Sequence, residues 1–144
     1  MMKKLIISAV MVLTSTSAFA DSDCGPATNV FYAQTMKGHN EVQICNYQNK
    51  LIYSYGKIGK FSDMVIHQYI DDTPVVEDAE GYKTLNFTNG DYRYEVGEYL
   101  GAHDSDMRLR VYKGKKRIAT IMLSDDQYAE GSIRDWEKLV AETY

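Results

Sequence analysis

Three histidines and two cysteines are the residues of this 144-residue chain whose chemistry is most worth testing first. His103 stands in the run His103-Asp104-Ser105-Asp106, which holds every residue type of a nucleophilic triad. Neighbours in sequence cannot adopt triad geometry toward one another, because the roles are spatial, so the run reads as a solvated loop. His39 falls in a predicted turn and His67 inside a predicted strand. The chain contains neither Gly-x-Ser-x-Gly nor His-Glu-x-x-His. Asp71, Asp72, Glu77, Asp78 and Glu80 crowd one connection, but their spacing is not that of an EF-hand calcium loop. The expectation is therefore a protein that is not an enzyme, with no catalytic residue, metal or cofactor.

Cys24 and Cys45 lack both the Cys-x-x-Cys spacing of a redox pair and the nearby ligands of a metal site. In an oxidising compartment an even pair reads as a structural disulfide. Closing a loop of about twenty residues is worth about 3 kcal/mol in the chain-entropy picture. The N-terminus points to such a compartment. Met1-Met2-Lys3-Lys4 is a short basic start, Leu5 to Leu13 is apolar apart from Ser8, and Ser17-Ala18-Phe19-Ala20 ends in a small-x-small cleavage pattern. Residues 1–20 are thus expected to be a removed signal peptide, and 21–144 a single β-rich domain. Cleavage would leave Asp21 first, not the cysteine a lipoprotein needs, so the product should be free in the periplasm or secreted. No later stretch approaches the run of about twenty apolar residues that spans a bilayer.

Charge narrows the partners. The chain carries a net −4, and loss of Lys3 and Lys4 makes it two units more negative. A nucleic-acid binder would ordinarily be basic. The basic run Lys113 to Arg117 straddles a predicted hairpin turn, where lysines keep strand edges soluble. An acidic surface is steered toward basic partners, such as a basic hydrolase or toxin.

The elements that would position any site are mostly strands. From Asn29 onward apolar residues recur with a period of two between Gly, Asn and Asp turns. Asn29 to Met36, Glu41 to Tyr47, Leu51 to Tyr55 and Met64 to Ile70 read as strands, followed by the acidic connection Asp71 to Gly81. Tyr82 to Phe87 and Asp91 to Tyr99 flank Thr88-Asn89-Gly90, and Asn-Gly is the strongest short hairpin signal. Met107 to Tyr112 and Arg117 to Leu123 form another hairpin around Gly114-Lys115, the last strand apolar on both faces. This predicts a mainly β fold, an antiparallel β-barrel or sandwich of about eight strands. The tail changes period. Ile133, Trp136, Leu139 and Val140 recur at helical spacing behind Ser132, predicting a C-terminal α-helix over 132–143.

Several segments resemble a family of small exported proteobacterial β-proteins of unknown function. Val30-Phe31-Tyr32-Ala33-Gln34-Thr35, Val42-Gln43-Ile44-Cys45 and Tyr53-Ser54-Tyr55-Gly56-Lys57 carry the likeness first. Phe87 to Tyr94 and Val111 to Thr120 continue it, so it covers about residues 28–123. The resemblance implies export and a β-fold. In that family's pattern cysteines often stand where this chain has Ala33 and Leu123, so a bridge there would be lost in this chain. The tail helix is not part of the pattern. A fainter similarity is to periplasmic inhibitors of C-type lysozymes, whose inhibitory loop carries Ser-Gly-x-x-Tyr. The nearest segment, Asn89-Gly90-Asp91-Tyr92, lacks the serine and brings the tyrosine one residue early.

Tyrosine is the feature richest in functional content, with twelve copies. Tyr53, Tyr55, Tyr92, Tyr94, Tyr99 and Tyr112 sit at alternating strand positions, so they either pack the sheet or form an aromatic binding face. Together these features suggest a non-enzymatic protein-binding domain, an inhibitor or immunity-type protein against a cell-wall hydrolase or envelope toxin. The alternative is a module that binds a small ligand or an envelope polymer. The expected binding residues are the hairpin tip Asn89, Gly90, Asp91, Tyr92, Arg93 and Tyr94, and the glycine-punctuated loop with Lys57 and Phe61.

Overall fold

The computed structural model describes residues 24–77, 79, 81–100 and 105–124. The segments expected to be signal peptide (1–20) and C-terminal helix (132–143), as well as His103, lie outside the described residues. Among the described residues the regular structure is nine strands and one short 3-10 turn. They are β1 (Thr28–Gln34), β2 (Asn40–Tyr47), β3 (Lys50–Lys57), β4 (Met64–Tyr69), the turn Ile70–Asp72, β5 (Val76–Glu77), β6 (Tyr82–Asn89), β7 (Tyr92–Leu100), β8 (Ser105–Lys113) and β9 (Lys116–Leu123). The ninth strand is β5, two residues long, inside what the sequence presents as an acidic connection.

Both sheets are antiparallel meanders, β1-β2-β3-β4 and β5-β6-β7-β8-β9. Short turns join sequence neighbours, and period-two patterning decides which face turns inward. In the first sheet Phe31 and Ala33 pair with Ile44 and Val42, and Ile44 pairs with Tyr53, which pairs with Ile66. In the second, Leu85 and Phe87 pair with Val96 and Tyr94, which pair with Leu109 and Val111. These rows form one core, and the Tyr53 ring stacks on Phe87 at 5.1 Å across the gap between sheets.

The sheets stay separate, so this is not a closed barrel. Along one seam Thr35 bridges Leu123, Met36 N–H donates to Met122 O at 3.0 Å, and Ser124 N–H donates to Gln34 O at 2.8 Å. Ala33 and Leu123 are both buried at that seam. Across the other seam the Gln68 carboxamide replaces a ladder. Its Nε2 donates to Asn86 O at 2.8 Å and Thr73 Oγ1 at 2.7 Å, while Oε1 accepts from Thr88 N–H at 3.2 Å. The Cys24–Cys45 disulfide fastens the N-terminal segment to β2, and no cysteine is free. Such a bridge is a feature of oxidising, non-cytoplasmic locations. No helix among the described residues is long and apolar enough to cross a membrane.

One strand departs from its sequence pattern. The sequence of β9 is apolar on both faces, yet only Leu123 is buried there, while Ile118 and Met122 are exposed. The register slips by one residue at Val111/Tyr112, so Val111 faces Ala119 while Tyr112 faces Arg117. Ile118 is the extra residue of a β-bulge. The apparent second apolar face is this phase shift plus an open edge, not burial.

Candidate functional site

The meander sorts the loops to two ends. Ile58 N–H donates to His39 O at 3.1 Å, so the β3–β4 loop lies beside the β1–β2 turn, where the bridge to Leu123 also brings the end of β9. The β6–β7 and β8–β9 turns lie at the opposite end, joined by Gly114 N–H donating to Asp91 O at 2.9 Å. The two binding segments expected from sequence therefore belong to different ends, and no single partner surface can use both tips side by side.

The loop that carries Phe61 is built around Gly56. A Cβ on Gly56 would lie 2.9 Å from both Asp63 N and Ser62 Cα, so glycine alone lets residues 58–63 fold back over the end of β3. Gly59 turns the chain at φ +74, and Lys60 N–H closes the turn on Lys57 O at 3.1 Å. The outcome is a loop tied to the end of β3 and to the β1–β2 turn that leaves Phe61 99% exposed. Lys57 is exposed beside it. Fully burying a side chain of this size is worth about 1.5–3 kcal/mol, a gain that folding leaves unrealised here.

At the same end opens a groove of about 430 Å³, lined among others by Met36, His39, Tyr55, Ile121 and Met122. Met36 is itself 68% exposed. Burial raises the Tyr55 pKa, opposed by a hydrogen bond with the Asn40 side chain and reinforced by the nearby Asp63 carboxylate. The phenol therefore stays protonated and serves as a hydrogen-bonding group. Nearby, burial raises the Glu41 pKa although the Tyr32 hydroxyl donates to Oε2 at 2.9 Å. His39 lies in the β1–β2 turn and His67 in the middle of β4, and both are exposed. No group of three or more His, Cys, Asp or Glu gathers among the described residues. The groove offers apolar contact and hydrogen bonding, with Lys37, His39, Lys57 and Lys60 exposed at the same end.

At the other end Asn89 pairs with Tyr92, so the hairpin loop is Gly90–Asp91, with glycine first at φ +59 as a type II′ turn requires. Asn89, Gly90 and Asp91 are exposed, and Tyr92 is partly exposed with the Lys113 ammonium 5.7 Å from its ring centre. Tyr94 shares the face of Tyr92 but lies deeper along β7, buried in the core 5.7 Å from Tyr53. Arg93 points to the opposite face. It donates to Asn86 Oδ1 at 3.0 Å, pairs with Glu95 at 3.5 Å and covers the Tyr112 ring at 4.2 Å.

The outer face of the second sheet holds a cluster the sequence reading did not single out. Glu95 accepts from Arg110 at 3.2 Å with both side chains largely buried. The Arg108 and Arg110 guanidiniums lie 4.8 and 5.0 Å from the Tyr82 ring centre, and Tyr99 packs on the same ring. Gly97 makes room. A Cβ there would meet Thr84 Cγ2 at 3.1 Å and Tyr82 Cδ1 at 3.9 Å. This cluster holds the sheet's outer face together by stacking and charge. Tyr53, Tyr82 and Tyr94 are likewise buried, so the alternating tyrosines divide between packing and surface instead of forming one aromatic face.

The chain matches no family model, no curated protein and no solved structure.

Proposed function

We propose that this chain is a non-enzymatic exported domain that binds a protein partner through the end bearing Phe61 and the adjoining groove. It acts as an inhibitor or immunity-type protein against a cell-wall hydrolase or envelope toxin. The observation that carries this reading is Phe61, a fully projecting aromatic on a loop packed closely on Gly56 and hydrogen-bonded through Ile58 and Lys60. Aromatic anchors presented from a fixed backbone supply most of the energy at protein interfaces, because little ordering entropy is lost on docking. Met36 and the groove beside it add apolar area at the same end. The signal-like residues 1–20, the disulfide and the acidic net charge fit a protein released into the periplasm or medium and steered toward a basic partner. Tyr92 and the hairpin tip are assigned no part in this contact, since they lie at the far end.

A photoreactive benzoyl-phenylalanine placed at position 61 tests the assignment. The reading expects a discrete crosslinked protein from envelope extract, absent when the same group is placed at position 92. Equal crosslinking from both positions, or none from 61, would remove the Phe61 end as the interface. The groove supports one second reading, a small-ligand module, because its volume falls within the usual range of about 300–1,000 Å³ for ligand sites. That reading predicts a ligand whose binding is lost on Tyr55→Ala or Ile121→Ala but is indifferent to Phe61→Ser.

A further inference from the structure

The bulge in β9 exchanges the side chain that faces Tyr112. Continued without a slip, the register that pairs Val111 with Ala119 would set Ile118 against Tyr112; the extra residue sets Arg117 there. Bulges commonly re-aim a side chain in this way. The result is a row across three strands, Arg93–Tyr112–Arg117, in which the Arg93 guanidinium already lies 4.2 Å from the Tyr112 ring centre. The neighbouring row, Tyr92–Lys113–Lys116, adds two more cations, with Lys113 held 5.7 Å from the Tyr92 ring centre. Lys115 completes the β8–β9 turn.

Lys113, Lys115, Lys116 and Arg117 are all exposed, and Arg93 is partly so. Asp91 and Glu95 are the acids placed among them, and Glu95 is shared with Arg110. On a chain of net −4 this is a local reversal of sign. It is also a fastened surface. The two hairpin turns are joined by the Gly114–Asp91 hydrogen bond, and two of the cations rest on tyrosine rings. Cations held in place lose less freedom when they meet an anion than free lysines do. Keeping the hairpin soluble would take charge alone; it would not require a bulge that pairs arginine in place of isoleucine with Tyr112.

We propose that this end of the domain binds an extended, phosphate-bearing anionic polymer. A row of cations along two adjacent hairpins matches a chain of repeating charges. A bilayer surface fits less well, because docking there calls for a fully projecting apolar side chain; at this end Ile118 and Tyr92 are only 49% and 37% exposed, and the fully exposed one among the described residues, Phe61, lies at the opposite end. The domain is therefore two-ended: the polymer contact holds it in place and leaves the Phe61 end open to solvent.

The test uses the folded mature chain and fluorescently labelled inorganic polyphosphate, followed by anisotropy at several salt concentrations. Binding should weaken linearly on a log–log salt plot, as counterion release requires. The variant Lys113→Gln/Lys115→Gln/Lys116→Gln/Arg117→Gln should lose affinity about tenfold or more and show a shallower salt slope. Lys115→Gln/Lys116→Gln, confined to the exposed turn, should lose part of it with an unchanged melting curve, which separates loss of charge from loss of fold. Lys57→Gln/Lys60→Gln, at the other end, should bind as the parent does. Absence of binding at about 50 mM salt, equal loss in the Lys57/Lys60 variant, or a preference for anionic phospholipid vesicles over polyphosphate would each overturn the proposal.

Discussion

Replacing Tyr53 by phenylalanine should make the protein more stable. The ring is fully buried between the sheets, stacked on Phe87 at 5.1 Å and tilted against Tyr94 at 5.7 Å. Its hydroxyl has no hydrogen-bond partner among the described residues. A buried hydroxyl without a partner costs about 1–3 kcal/mol of lost hydration, while removing one oxygen leaves the ring contacts intact and opens only a small void. The net expectation is a gain of about 1 kcal/mol, or about 4 °C in Tm for a domain of this size. Alkaline pH gives an independent check. Burial holds the Tyr53 pKa well above its ordinary value of 10.0, with Tyr94 and Tyr55 adding to the shift. The folded state therefore keeps its proton where the unfolded state releases it. Tyr53 leaves stability untouched below pH 10.0 and erodes it above, with a limiting slope of about 1.4 kcal/mol per pH unit. Urea melts of parent and variant from neutral pH to above pH 10 should show the variant more stable at every pH, with the gap widening at the alkaline end. A variant less stable by 1 kcal/mol or more would refute the reasoning, because it would mean the hydroxyl is satisfied.

Gly56→Ala should cost about 2 kcal/mol, since its methyl group would press on backbone atoms of Ser62 and Asp63 that cannot yield without moving the loop; thermal melts and protease sensitivity of the β3–β4 loop report it. Cys24→Ser/Cys45→Ser should lower stability by about 3 kcal/mol, the two residues being 21 apart in sequence, and the native parent should show no alkylatable thiol by mass spectrometry. Glu41 has its pKa raised in the fold, so its contribution favours the folded state below the ordinary value of 4.5 and is lost as pH rises through the raised value. Glu41→Gln keeps an acceptor for the Tyr32 hydroxyl while removing the charge. It should therefore be slightly more stable than the parent at neutral pH and indistinguishable from it in acid, as read by chemical melts across that range.

The β-architecture could be read from period-two patterning because each inward residue is matched across the ladder, as in the row Ala33, Val42, Tyr55 and Met64. The disulfide was legible for a different reason: two cysteines in an oxidising setting leave one pairing. The hairpin at Asn89-Gly90 was legible too, but its loop proved to be Gly90–Asp91, because the glycine takes the first central position. Burial along a strand was harder. Tyr92 and Tyr94 alternate onto one face, yet Tyr92 starts β7 beyond the end of the core, and periodicity carries no information about where a core stops. Nothing local in Arg117-Ile118-Ala119 announces a bulge, so β9 read as two-sided and the facing of Arg117 toward Tyr112 was hidden. Phe61 was legible as a loop residue near two glycines, and it is fully exposed. That Gly56 fastens this loop was not, because a close approach of Ser62 and Asp63 is a fact of tertiary structure.

The most direct test of the central claim is inhibition of peptidoglycan hydrolysis by an envelope extract, measured as turbidity loss with added parent protein and with Phe61→Ser. Phe61 makes no burial contact that folding depends on, so the variant should melt as the parent does. The account predicts that the parent slows hydrolysis in a saturable, salt-weakened manner and that Phe61→Ser loses this effect at least tenfold in concentration, about the weight of one buried aromatic anchor. A correctly folded Phe61→Ser that inhibits at full strength, or a parent protein that leaves hydrolysis unchanged at any salt concentration, would contradict it.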